Sequence, residues 1–223
     1  MSKKIIIFVL LCTLSMFIFS PLNKIFAQTA QSGCVIVKTG NATEPSPTCN
    51  QSQQTLPEPN LLSKVPLYKQ WNSAWAAHGF GGCGKTIQSS GCGITSLAMV
   101  ISYWTGKQVL PSETADVAIA HHWDACATGD GTSWSAMTGM PPLYGLKGKE
   151  ISWNEAKTYL TQGIPVIQAH TKGYFTDGGH FIVLTGIFGG NYLVNDPDGK
   201  HRTIATESQI NDSSLQATWV ITK

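Results

Sequence analysis

The hydrophobic positions change period once along the chain. Over residues 93–103 the apolar side chains Ile94, Leu97, Ala98 and Ile101 recur at i, i+3, i+4 and i+7. That spacing predicts a helix with one buried stripe, stopped at Gly106. A second helix is predicted behind Pro111, from Ser112 to about His122. A third begins where Ser152 and Glu155 form a capping-box pattern, with Ile151 placed for a hydrophobic staple and Gly163 as the stop. Beyond it the period shortens. Residues 164–169, 181–188 and 192–195 are short, apolar, and rich in β-branched or aromatic types, which predicts strands, and Gly189-Gly190 between the last two is a hairpin signal. Helices followed by antiparallel strands make an α+β layout.

The N-terminal stretch belongs to neither pattern. Lys3-Lys4 precede an uncharged apolar run over residues 5–19, Pro21 breaks any helix, and Ala27 is small, so residues 1–27 read as a secretory signal cleaved after Ala27. An uncleaved membrane anchor is the alternative, but a spanning helix wants about 20 apolar residues. Cys12 lies inside the run rather than at its end, which argues against lipid attachment there. Residues 28–60 form an N-terminal segment whose second half, NATEPSPTCNQSQQTLPEPN, has four prolines and no apolar periodicity, as in a solvated linker. Residues 61–223 are left as the domain able to bury a core. The chain of 223 residues is 13% charged with a net charge of +2, and it holds no basic run, so nothing favours nucleic acid as a partner. Cleavage would remove Lys3, Lys4 and Lys24 and leave a nearly neutral surface. Membrane contact is then expected only through an uncleaved signal.

Cysteine usage sharpens this. Without the signal five remain: Cys34, Cys49, Cys83, Cys92 and Cys126. Outside the cytoplasm thiols tend to pair, and an odd number leaves one over. Order along the chain suggests Cys34 with Cys49 and Cys83 with Cys126, on either side of Cys92, although four cysteines allow three pairings. Residues 79–86, from Gly79 to Lys85-Thr86, satisfy the phosphate-loop pattern GxxxxGK[ST]. That motif works only between a strand and a helix. Neither residues 73–78 nor residues 87–91 supply one, so no nucleotide is expected and the stretch reads as a Gly-rich surface loop. His121, His122, Asp124 and Cys126 with Cys83 fit no standard zinc spacing, so no metal or other cofactor is expected. His78, His170 and His201 have no evident companions. Trp71, Trp75, Trp134 and Trp153 are candidates to line a peptide groove, with core packing the commoner role.

The chemistry concentrates elsewhere. Cys92 lies between Gly91 and Gly93 at the start of the first helix, where unpaired N–H groups favour a thiolate and glycines admit a substrate carbonyl. His180 follows Gly178-Gly179 at the mouth of an apolar strand, where an imidazole can serve as general base. The return strand offers Asn195 and Asp196, and hairpin register decides between them. A three-residue loop over 188–190 puts Asp196 diagonally beside His180, whereas a two-residue Gly189-Gly190 turn would present Asn195. Asp196 is the expected partner.

Four stretches, VPLYKQW (65–71), SGCGITSLAMV (90–100), GHFIVLTG (179–186) and YLVNDP (192–197), together with GIPVI (163–167), resemble the bacteriocin-processing (double-glycine) peptidase-like family of papain-like cysteine peptidases. The resemblance spans residues 61–223. It implies a papain-like α+β fold with the catalytic cysteine at a helix start packed on a C-terminal antiparallel sheet. It also implies Cys92 as nucleophile, His180 as base, Asp196 as orienting acid, and an upstream glutamine in the oxyanion hole. Gln70 is the matching position and Gln88 the alternative, with Gly91 and Gly179 beside the substrate. The expected activity is a secreted cysteine peptidase working through a thioester. The same residues also suit an amidohydrolase of cell-wall peptide, or a surface binding module without turnover.

Overall fold

The helix predicted over residues 93–103 runs from Cys92–Thr105 and is the spine of the molecule. Ten consecutive residues, from Gly93 to Ser102, are buried, Thr95 and Ser96 among them. The single stripe expected from periodicity is therefore only part of its contact surface. The helix is enclosed by neighbours rather than laid on a core, because its remaining faces are covered by flanking segments. The computed structural model describes residues 64–81, 84–125, 131–199 and 203–223, all within one compact unit, Thr55–Lys223. The signal and linker expected over 1–60, with Cys34, Cys49, Cys83, Cys126 and His201, lie outside the described residues.

In chain order the elements are α1 (Ile87–Ser90), α2 (Cys92–Thr105), α3 (Pro111–Ala120), α4 (Ala136–Gly139), a 3-10 turn (Pro141–Tyr144), β1 (Lys147–Ile151), α5 (Trp153–Thr161), β2 (Val166–His170), β3 (His180–Phe188), β4 (Asn191–Asn195), β5 (Ile204–Ala205), α6 (Glu207–Ile210) and β6 (Leu215–Thr222). The capping box of α5 forms as predicted: Ser152 Oγ accepts from the Glu155 N–H, and Glu155 accepts from the Ser152 N–H. Pro111 occupies the first turn of α3. Among the described residues no helix is long and apolar enough to cross a membrane.

The six strands pair antiparallel in the order β1-β6-β2-β3-β4-β5. Ile167, Ala169, Phe181, Val183, Trp219 and Ile221 pack with α2, while Val166, Ile182, Leu184, Val194 and Val220 pack with Ala156 and Leu160 of α5. Packing on both faces explains why β2 and the first half of β3 are buried at every position, Gln168, His170 and His180 included, instead of alternating. Strands β1, β5 and β6 were not anticipated, and β1 precedes α5, so helices and strands are not as cleanly separated as the sequence suggests.

The hairpin departs from expectation in an instructive way. Its turn is the two-residue Gly189-Gly190, both at positive φ, pairing Phe188 with Asn191. A bulge between Leu184 and Gly186 then shifts the register by one, so that Val183 faces Asn195. The three-residue loop is wrong, yet the bulge restores the pairing it would have produced. Bulges of this kind bend a strand and re-aim the side chains beyond it.

The phosphate-loop-like stretch is closed by a bridge between Gly79 and Thr86 and a Phe80 N–H to Lys85 carbonyl bond of 2.9 Å. Phe80 is only 2% exposed, so the stretch hangs on a core anchor rather than riding on the surface. Residues 87–90, expected to hold no helix, form the single turn α1, because Thr86 and Ser89 cap each other.

Candidate active site

Cys92 owes its place to two glycines. Gly91 separates α1 from α2 with φ −92° and ψ 15°, and a Cβ there would lie 2.6 Å from the Ile87 carbonyl oxygen. A Cβ on Gly93 would lie 2.5 Å from Cβ of Thr132. The cysteine is half-buried and free of any disulfide, at the first position of α2, where the leading N–H groups have no partner within the helix.

His180 opens β3 and Asp196 follows β4, on the face set by the bulge. The imidazole Nε2 bonds Asp196 Oδ1 at 2.7 Å, and Cys92 acts on the same ring as a second partner favouring its charged form. With Nε2 committed to Asp196, Nδ1 is the ring nitrogen left for the sulfur. Burial disfavours a charged His180, but Asp196 and Cys92 outweigh it and raise its pKa to about 10. For Asp196, burial pushes the carboxyl up, and His180 with the N–H groups of Asp198 and Gly199 more than offsets this, holding it below the usual carboxylate range. Asn195, the alternative partner, points away: its Nδ2 donates to the carbonyls of Val65 and Pro66 at 3.2 Å.

The segment before α1 straps this end of the sheet. The Lys69 ammonium donates to the Asp196 carbonyl at 3.0 Å, the Gln70 N–H to the Pro197 carbonyl at 2.9 Å, and the Trp71 indole to the Asp198 carbonyl at 2.8 Å. Burial pulls Lys69 below its ordinary pKa, while Asp196 and Asp198 act in the opposite sense. The buried Gln70 side chain donates through Nε2 to the Gln88 carbonyl at 2.7 Å. An acceptor at that distance dictates which end of the amide is nitrogen, and one N–H is left over. The Gln88 side chain is exposed, so its contribution is the main-chain carbonyl that orients Gln70.

A cavity of about 230 Å³ opens beside the sulfur, lined by Cys92, Thr132, Trp134, His170, Gly179 and His180, among others. Trp134 is 46% exposed and stands edge-on to the core residue Trp219, with ring centroids 5.5 Å apart. Of the other candidate tryptophans, Trp75 is buried and Trp71 exposed, and Trp153 packs on Tyr192. His170 sits directly across from His180 in the sheet. It is buried, with Nδ1 on Ser214 Oγ at 3.0 Å and Nε2 on Gln168 Oε1 at 3.2 Å. Burial drives its pKa down to about 4 against the opposing pull of Asp212, so it stays neutral beside the charged His180. His78, expected to stand alone, bonds Asp116 at 2.8 Å. Thr132 and Lys69 are the site residues whose positions sequence reasoning did not supply, whereas Trp134 is the one groove candidate that lines this cavity. Thr132 reaches the site across 38 residues of chain, with no local signal to mark it.

Cysteine, imidazole and carboxylate in sequence beside an open cavity form an arrangement able to carry nucleophilic acyl transfer. No curated protein matches the chain significantly. Among solved structures it is similar to a chain from Bacillus anthracis described as a C39-like peptidase, at 16% identity and a TM-score of 0.46, over 73% of this chain and 96% of that one, a superposition too loose to argue from. The Peptidase_C39 like family model matches residues 62–223, the whole described domain, and by that match the chain belongs to the C39-like peptidase family.

Proposed function

We propose that this member of a peptidase family is an exported cysteine peptidase in which Cys92 is the nucleophile, His180 the acid–base group and Asp196 its orienting partner. One observation carries the reading: the buried His180 ring bonds Asp196 and lines the same cavity as Cys92, which acts on it electrostatically. The Cys92 sulfur attacks the carbonyl carbon of a peptide bond, and the oxygen that gains charge is held by the Cys92 N–H and the remaining N–H of Gln70. Each such donor typically lowers the barrier by about 3 kcal/mol. His180 Nδ1 gives its proton to the departing amine as the C–N bond breaks, leaving a thioester. Water then loses a proton to His180 and attacks the thioester, releasing the acid and the thiol. Gly179 lines the cavity without a side chain, so a substrate backbone can approach closely there, whereas Gly91 is buried against Ile87 and outside the lining.

Export is read from the basic, apolar and small-residue sequence of residues 1–27, with Cys83 and Cys126 as the disulfide pair within the domain. The test is a mixed peptide library incubated with the wild-type protein and with Cys92→Ala. Cleavage by the first and none by the folded variant is expected. Equal cleavage by both, or a folded wild-type protein that turns over neither peptide, casein nor cell-wall peptide, would refute the assignment.

A further inference from the structure

Helix α2 begins without a capping side chain of its own. Its N-cap is Gly91, which offers only a backbone carbonyl, taken by the Thr95 N–H at 2.9 Å. A serine or aspartate at that position would fold its oxygen back over the second or third N–H of the helix. Gly91 has no room for such a residue, because its Cβ would strike Ile87. The cap comes from elsewhere. Thr132 Oγ1 accepts from the Ile94 N–H at 3.1 Å, and both groups are buried. Ile94 is the third residue of α2, the position a local cap would serve.

Thr132 is held rigidly for this task. It bridges to Asp124, and the flanking backbone is tied by the Ala125 N–H to Gly131 and the Ser133 N–H to Trp123, each at 2.7 Å. Its side chain is 6% exposed and fills the space where Gly93 lacks a Cβ. The same side chain lines the cavity with Cys92 and His180. Accepting from Ile94 rather than from Cys92 satisfies the third N–H of the helix and leaves the first, on the cavity-lining Cys92, to other partners.

We propose that Thr132 is a positioning residue for the Cys92 turn: its hydroxyl caps α2 from outside, fixing where the Cys92 sulfur and N–H point while keeping that N–H open to substrate. The inference rests on the role assigned to Cys92 above. Thr132→Val keeps the shape and removes the acceptor, whereas Thr132→Ser keeps the acceptor. Thr132→Val is expected to lower kcat between about tenfold and a hundredfold, with KM changed less than about threefold, because small misplacements at a reacting centre weigh on the chemical step. Alkylation of Cys92 by iodoacetamide in the folded protein should slow in parallel, and Thr132→Ser should recover both within about threefold. Wild-type kcat and alkylation in Thr132→Val, or an equal loss in Thr132→Ser, would overturn the proposal. Should Thr132→Val not fold, Thr132→Ser still decides, since a tenfold loss there refutes a role carried by the hydroxyl. Alkylation needs no substrate, so the series stands even if the wild-type protein hydrolyses nothing and the assigned function falls.

Discussion

Replacing Asp196 by asparagine probes the bond that defines the site. Asp196 Oδ1 accepts from His180 at 2.7 Å and from the N–H groups of Asp198 and Gly199 at 2.9 and 3.4 Å, and the residue is 2% exposed. Three donors converge on one oxygen, so the asparagine must keep its carbonyl there and turn its NH₂ toward the place of Oδ2, a buried atom with no hydrogen-bond partner. Exchanging a charge-assisted bond for a neutral one loses about 1–2 kcal/mol, or roughly 5- to 30-fold in kcat. The stranded amide costs about 1–3 kcal/mol of folding stability, which lowers Tm by about 2–12 °C for a domain of this size. The pH dependence has a definite sign. The raised pKa of His180 stabilises the fold fully below its ordinary 6.5 and ceases to do so as pH rises through about 10. The lowered pKa of Asp196 stabilises above its ordinary 3.8 and ceases to do so as pH falls through its depressed value. Asp196→Asn should therefore reduce Tm most between about pH 4 and 6.5, the window in which both contributions hold. The alkaline limb of kcat should also move down, since the imidazolium that protonates the leaving amine loses its main support. The assay is a pair of pH profiles, one of peptide hydrolysis and one of melting. Coincident alkaline limbs for the two proteins would refute the reasoning.

Gln70→Ala should lower kcat by about 100-fold while leaving the rate of Cys92 alkylation within about twofold, because displacement at iodoacetamide develops no oxyanion; a parallel loss of both would place Gln70 in support of the sulfur instead. Gly91→Ala should cost about 1–3 kcal/mol in urea unfolding, since the added methyl meets a backbone oxygen. Gly179→Ala should be neutral within about 0.5 kcal/mol, as nothing lies within 4 Å of its Cβ position. Equal stability of the two glycine variants would contradict the packing described around α2.

Local signals in the chain carry a good part of this architecture. The α2 spacing, the Ser152–Glu155 box and the Gly189-Gly190 turn each act within a few residues, and each appears in the structure. Long-range determinants were not readable. Strand β1 is the polar run Lys-Gly-Lys-Glu-Ile at the sheet edge, where only Ile151 is buried, so it shows no apolar alternation. Strand β6 owes its existence to pairing with β1 and β2, which the sequence near Leu215 does not announce. The bulge beside Thr185 reflects sheet twist and packing, and without it the correct two-residue turn would have pointed to the wrong side chain. At the site, Cys92, His180 and Asp196 are marked by neighbouring glycines and strand ends. Thr132 and the Lys69–Trp71 contacts arise only when distant segments meet.

Those strap contacts bear on when the protein can act. Lys69, Gln70 and Trp71 hold the turn after β4 through three bonds, each spanning 127 residues of sequence. Closing so long a loop belongs to the last stage of folding rather than the first. While the chain is being synthesised, residues 65–71 emerge long before the hairpin they must clasp, so the surroundings of Asp196 stay unassembled until the final strands arrive. Trimming the N-terminus up to Lys64 would leave the clasp whole, and trimming past Trp71 would release the turn that carries Asp196.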